Sequence, residues 1–184
     1  MERIRRAVSS GSCWREGEGN MKTLYLIGGT MGVGKTTVGQ RLKKELPNSV
    51  FLDGDWCWDA DPFQVTEETK AMVLGNIIYL LNSFLHCTAY DHVIFCWVMH
   101  EQSIIDAITH ELDTNDCRVI SISLTATEEK LRSRLSSDIA RGIRTADVLD
   151  RSTARIHMYS RLNTIKIATD NRTVSEIADE ITAL

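Results

Sequence analysis

Cysteine pairs, a basic excess and long apolar runs are what this 184-residue chain lacks, and each absence excludes a class of protein. Its five cysteines (Cys13, Cys57, Cys87, Cys96 and Cys117) are odd in number, widely spaced and without a Cys-x-x-Cys pair. That pattern fits neither a disulfide framework nor a zinc site, so reduced, mostly buried thiols in a cytoplasmic protein are expected. The formal net charge is -4 at pH 7. A protein that grips nucleic acid or an anionic membrane needs the opposite balance, which leaves small molecules as the expected partners of a monomer or homodimer. The densest apolar run, Val93 to Met99, falls far short of the roughly 18 residues of a membrane span. What the chain does have is 43% hydrophobic and 25% charged residues, enough for one globular domain with a sizeable core.

Residues 1–20 differ from the rest. They are polar, carry four arginines against three glutamates and show no periodicity, which predicts disorder. No apolar segment follows Arg6, so the basic start is not a secretion signal. Alternatively Met21 is the true start, since Glu16 to Asn20 would be encoded by purine-rich codons like a ribosome-binding site; the intact mass of the native protein distinguishes the two. The domain expected to fold is 21–184.

From Met21 onward short apolar runs alternate with amphipathic ones. Strands are predicted at Thr23–Gly28, Ser49–Asp53, His92–Val98, Arg118–Leu124 and Thr164–Ala168, each rich in β-branched or aromatic residues. Helices fill the gaps: one from the glycine cluster to Leu46, one capped by Thr66, and others over Glu101–Leu112, Glu128–Ala140 and Asp147–Leu162. A last helix starts at Thr173 with Glu176 three residues on, a capping box. Such alternation means an α/β fold, a parallel sheet covered by helices on both faces.

Between the first strand and the first helix stand Gly29, Thr30, Met31, Gly32, Val33, Gly34, Lys35, Thr36 and Thr37. The first eight satisfy Gly-x-x-x-x-Gly-Lys-Ser/Thr in the strand-to-helix setting that gives the motif its meaning. Glycines let backbone N–H groups turn inward as an anion nest at a helix N-terminus, where unpaired donors and the helix dipole favour phosphate. Lys35 would reach the β and γ phosphates of ATP, and the Thr36 hydroxyl would ligate Mg²⁺. Asp53 and Asp55 follow, two apart at the end of the second strand and so facing the same way. That spacing lets Asp53 organise the metal shell while Asp55 accepts a proton from an incoming hydroxyl. No aspartate follows the third strand, which leaves the metal role to Asp53 by default.

The stretch Gly28 to Thr37, followed by Phe51 to Asp55, resembles the small P-loop kinases of metabolites: gluconate, shikimate and adenylylsulfate kinases and chloramphenicol phosphotransferase. The likeness runs from Met21 to Leu184 and implies a P-loop NTPase three-layer sandwich with a five-stranded parallel sheet and an Arg-bearing lid. Glu128 to Leu162 resembles that lid and its flanking helices. By this likeness Arg134 would lie against the adenine, and Arg141 or Arg144 would fold over the transferring phosphoryl group. Ile167 to Ile181 resembles the strand, loop and helix that border the adenine.

The acceptor half departs from those relatives. Gluconate kinases carry a His-Pro soon after Asp-Gly-Asp and an Arg-x-x-Trp-Leu segment, and neither is present. Between Asp53 and Cys117 there are twelve acids, one lysine (Lys70) and no arginine. Anionic acceptors need compensating cations, preferably bidentate arginines, so a neutral or cationic alcohol is expected, with Trp56, Trp58 and Phe63 as apolar or stacking walls. His100 and Glu101 end the third strand, where ligands gather in open parallel sheets, and are further candidates for that site. The expected reaction is transfer of the γ-phosphoryl of Mg-ATP to a hydroxyl. A gluconate-like or nucleoside monophosphate kinase is a competing enzyme reading, and a nucleotide-dependent switch a non-enzyme one; the chain has neither the Asn-Lys-x-Asp nor the Asp-x-x-Gly of such switches.

Overall fold

The structure, a computed structural model, describes residues 21–184, and the expectations for residues 1–20 lie outside those described. One sheet contains β1 (Lys22–Gly28), β2 (Ser49–Asp53), β3 (His92–Trp97), β4 (Cys117–Thr125) and β5 (Ile165–Ala168). The strands lie in the order β2-β3-β1-β4-β5 and every pairing is parallel. The helices are α1 (Lys35–Glu45), α2 (Glu67–His86), α3 (Gln102–His110), α4 (Glu128–Ala140), α5 (Val148–Arg155) and α6 (Val174–Thr182). Short 3-10 segments cover Gly54–Cys57 and Ile156–Arg161. None of these helices is long and apolar enough to cross a membrane.

Period-two alternation divides the strand side chains between two cores. Leu24 and Leu26 of β1, with Val93 and Phe95 of β3, meet Val73, Ile77 and Leu81 of α2 and Ile105 and Ile108 of α3. Tyr25, Ile27, Ile94 and Cys96 face the other way, onto Val38 and Leu42 of α1 and Ile177, Ala178 and Ile181 of α6. The predicted capping signals are met: Thr66 and Thr173 each close a reciprocal cap, with Thr69 and Glu176 respectively. A third, small cluster of Leu131, Leu135 and Val148 joins α4 to α5, and the side chain of Met31 packs against it.

The expectation of a single helix over Asp147–Leu162 is corrected. The helix tightens into the 3-10 segment after Arg155. Val148 packs against α4, whereas Tyr159 and Leu162 are buried in the α2-side core, and the change of path serves both demands.

All five strands run the same way, so their carboxyl ends share one edge of the sheet. Gly28 closes β1 opposite Trp97 of β3 and Ser123 of β4. Strand pairing does not bring the end of β2 to the phosphate loop, because β3 lies between β2 and β1. What brings Asp53 to the loop is α1, which crosses over β3 to reach β2. That crossing needs a close approach at Gly39, where a Cβ would lie 2.4 Å from the Phe51 ring and 2.8 Å from Cys96 Sγ. Gly39→Ala should therefore lower stability by about 1–3 kcal/mol through overpacking, against the small gain in helix propensity. A fall in the urea midpoint with unchanged slope is the expected result, and an unchanged midpoint would show that α1 has room to move.

Candidate functional site

Thr36 opens α1 and Asp53 closes β2, and the two meet. The Thr36 hydroxyl donates to Asp53 Oδ2 at 2.7 Å, while Asp53 Oδ1 accepts from the Asp55 backbone N–H at 3.1 Å. Asp53 is only 7% exposed. Its second bond caps the 3-10 turn that starts at Gly54, and this turn lifts Asp55 into the open edge of the site. Trp97 lies across that turn so tightly that a Cβ on Gly54 would sit 2.5 Å from its ring.

The phosphate loop spans Gly29–Gly34. Gly32 has φ +81°, and a Cβ there would meet Leu135 at 2.6 Å, so both conformation and contact demand glycine. Gly34, at φ +106°, is the N-cap of α1 and has no side chain to satisfy the first amides. These amides are free to bind an anion. Lys35 Nζ folds over the loop and donates to Thr30 O at 3.1 Å. Burial lowers its pKa to about 8, partly offset by Cys96, Asp55 and Asp53. Burial also raises the pKa of Asp55, and the Asp53 charge adds to the rise; Lys35, Trp97 and Arg144 oppose it. Thr37 follows in the same turn, exposed.

Thr36 and Asp53 offer two hard oxygen donors beside the nest. This suits Mg²⁺, which keeps several waters and takes few protein ligands plus phosphate oxygens. Among the described residues no cluster of three or more His, Cys, Asp or Glu forms a cage of its own.

The predicted lid arginines separate. Arg134 is committed to the fold: it donates to Thr169 Oγ1 and Thr169 O at 2.9 Å each, and to Val33 O at 3.4 Å. It thereby joins the phosphate loop to the end of β5, the segment likened to an adenine border. Arg144 pairs with Asp138 at 3.2 Å and is close enough for its charge to act on both Lys35 and Asp55. Arg141 caps α4 through its backbone and its side chain is exposed.

On the acceptor side, Trp58 and Phe63 stack with centroids 4.6 Å apart, while Trp56 turns its edge to Phe51 on the α1 side. A cavity of about 370 Å³ opens beside Trp56 and Trp58, lined also by Cys57, Asp59, Thr69 and Met72, and Phe63, expected as a further wall, is not in its lining. Asn76 of α2 holds its rim through Cys57 O at 3.2 Å. His100 Nε2 lies 3.7 Å from Glu101 Oε1, and Glu101 stands at the N-cap of α3 without a side-chain capping bond. Lys70 is already paired with Glu67 at 2.8 Å.

Sequence reasoning missed Ser152, Thr169 and Trp97. Ser152 carried a readable signal, since it stands four residues after Val148 and three before Arg155 on the inward face of α5. Thr169 and Trp97 carried none, because their contacts come from elements distant in sequence.

A family model described as AAA domain matches residues 26–156. The chain belongs to the AAA domain family. Solved structures give this AAA domain the architecture of the small P-loop kinases. It is similar to a gluconokinase from Sinorhizobium meliloti 1021, with TM-score 0.64 and 16% identity over 90% of this chain and 92% of that one. A tunicamycin resistance protein from Deinococcus radiodurans gives 0.67 and 18% over 88% and 94%. A shikimate kinase from Acinetobacter baumannii, solved with shikimate, gives 0.58 and 20% over 88% and 91%. At such identities the likeness is one of fold. No curated protein sequence matches significantly.

With the pKa of Lys35 lowered, phosphate held by this lysine would be bound with uptake of a proton. Bound phosphates favour its charged form, so between about 8 in the free site and the higher bound value, binding takes up a proton and affinity falls as pH rises. Calorimetry of Mg-ADP near pH 9 in buffers of different ionisation enthalpy should show uptake approaching one proton, absent near pH 6.5. Lys35→Arg, charged throughout, should abolish the uptake; uptake that persists would place the titrating group elsewhere.

Proposed function

We propose that this AAA domain is a kinase that transfers the γ-phosphoryl of ATP to the hydroxyl of a neutral or cationic small molecule. The observation that carries the reading is the meeting of Thr36 and Asp53 beside the nest, with Asp55 raised on the adjoining turn. Backbone amides of the loop and Lys35 hold the phosphates. Thr36 and Asp53 would hold Mg²⁺, which would supply neutralisation of the phosphate charge. Asp55 accepts the acceptor's hydroxyl proton as its oxygen bonds to the γ phosphorus and the bond to the β-γ bridging oxygen breaks, releasing ADP. A carboxylate whose pKa is raised is a better base for this than an ordinary one. Arg144, whose charge already reaches Lys35 and Asp55, stabilises the charge that develops.

Charge selects the acceptor. The segment from Asp53 to Cys117 holds twelve acids and the single cation Lys70. Asp91, Glu111, Asp113 and Asp116 lie at the opposite, amino-terminal edge of the sheet. It is Asp55, Asp59 and Asp61 after β2, with Glu67 and Glu101, which both act on Lys70, that stand toward the carboxyl edge. An anionic group there would meet repulsion on the order of a kcal/mol per close pair even in a partly wet cleft. The cavity beside Trp58 suits an apolar or flat portion of the acceptor. A similar fold serves an acidic acceptor in the shikimate kinase, but the fold does not carry the charge of the site with it.

Nucleosides should accordingly show higher kcat/KM than their monophosphates, and aminoglycosides or sugars higher than sugar acids, with added salt narrowing the gap. Asp55→Asn serves as the control for transfer: ATP affinity should stay within about threefold while turnover falls by about 10² or more. Efficient phosphorylation of AMP, shikimate or gluconate would defeat the acceptor reading and show the lid arginines recruited to the acceptor. Lost ATP affinity in Asp55→Asn would move Asp55 into the metal shell.

A further inference from the structure

An inward-turned amide requires an outward-turned carbonyl. In a trans peptide unit the C=O of one residue and the N–H of the next point in opposite directions. Whatever pins a loop carbonyl outward therefore aims the following amide into the nest. Two loop carbonyls are pinned in this way by side chains from the helices that flank the lid. Ser152 Oγ, on α5, donates to Met31 O at 2.8 Å, and Arg134, on α4, donates to Val33 O at 3.4 Å. The amides these bonds orient belong to Gly32 and Gly34.

The Ser152 contact is the more telling. Its side chain is fully buried, and it does not bond back to its own helix as Thr153 does to Leu149 O. Its one proton is used on Met31 O. Thr30 Oγ1 lies 2.9 Å from Ser152 Oγ. Thr30 is itself 4% exposed, and its hydroxyl also lies 3.0 Å from Ser152 O. The Thr30 hydroxyl donates to Ser152 O and so braces that turn of α5, while Ser152 donates on to Met31 O. Arg155, one turn further along α5, approaches Met31 Sδ at 3.7 Å.

We infer that Ser152 is a positioning residue for phosphate binding, which, through Met31 O and with Thr30 behind it, holds the Gly32 amide aimed at the terminal phosphates of the nucleotide. This rests on the nucleotide reading of the loop. The same contacts tie α5 to the phosphate loop.

The experiment measures binding of Mg-ADP, tripolyphosphate and AMP to the full chain by calorimetry, with unfolding of the ligand-free protein followed in parallel. Ser152→Ala removes the donor, and Thr30→Val removes the hydroxyl behind it while keeping the shape; Thr30→Ser retains the hydroxyl. Ser152→Ala and Thr30→Val should weaken Mg-ADP and tripolyphosphate by about tenfold, the scale of one well-made hydrogen bond. AMP, which lacks the β phosphate, should change less than about twofold on that scale, and Thr30→Ser should behave as wild type. If Ser152→Ala does not fold, the Thr30 pair decides. Unchanged Mg-ADP affinity in folded variants overturns the inference. Equal weakening of all three ligands, together with a lower unfolding temperature, also overturns it by reducing the contact to packing. Failure of the wild-type chain to bind either Mg-ADP or tripolyphosphate would remove the nucleotide reading, and this inference with it.

Discussion

The bond from Thr36 to Asp53 is the contact on which the rest of the site depends. It spans 2.7 Å between the first turn of α1 and the last residue of β2, two elements that do not follow from strand pairing, since β3 lies between β2 and β1. A buried carboxylate needs partners. Asp53 takes one from α1 and one from the backbone of Asp55, so a single side chain fixes where the helix starts, where the strand ends and how the next acid is presented. The close approach of Gly39 to Phe51 and Cys96 is the packing that makes this bond possible.

Around that contact the protein is built in two electrostatic halves. The proposed nucleotide side gathers Lys35, Arg134 and Arg144 about the loop Gly29–Gly34, and Arg134 holds the loop against Thr169. The proposed acceptor side carries Trp56, Trp58 and Asp59, with Lys70 paired to Glu67. The two charge patterns meet at Asp55, which feels burial and Asp53 on one side and Lys35 and Arg144 on the other. A group so placed changes proton affinity as ligands of either sign arrive, in keeping with the base role proposed for it.

Much of this was legible in the sequence because its causes are local. The strands announce themselves through apolar runs, Thr66 and Thr173 through the residues three positions on, and the phosphate loop through glycines whose conformations no other residue adopts cheaply. Arg134 was legible as a lid residue but not as a strut, because its partners Val33 and Thr169 lie 101 and 35 residues away. Trp56 shows the same limit. It lines the cavity with Trp58, as expected, but its ring also meets Phe51 across the 3-10 turn, while Phe63, expected as a third wall, packs on Trp58 outside the lining. Periodicity places a side chain on a face, and only the packed neighbours decide which way it leans.

The measurement that tests the account most directly is the Mg²⁺ dependence of ADP affinity in wild type and Asp53→Asn, a substitution that keeps an acceptor for Thr36 but removes the charge. In wild type Mg²⁺ should tighten ADP binding. In Asp53→Asn that enhancement should be lost, while affinity in EDTA is unchanged or improved because an anion near the phosphates has gone. An enhancement by Mg²⁺ that survives in Asp53→Asn would contradict the account, since it would mean that the Thr36 and Asp53 pair is not where the metal of the nucleotide is held.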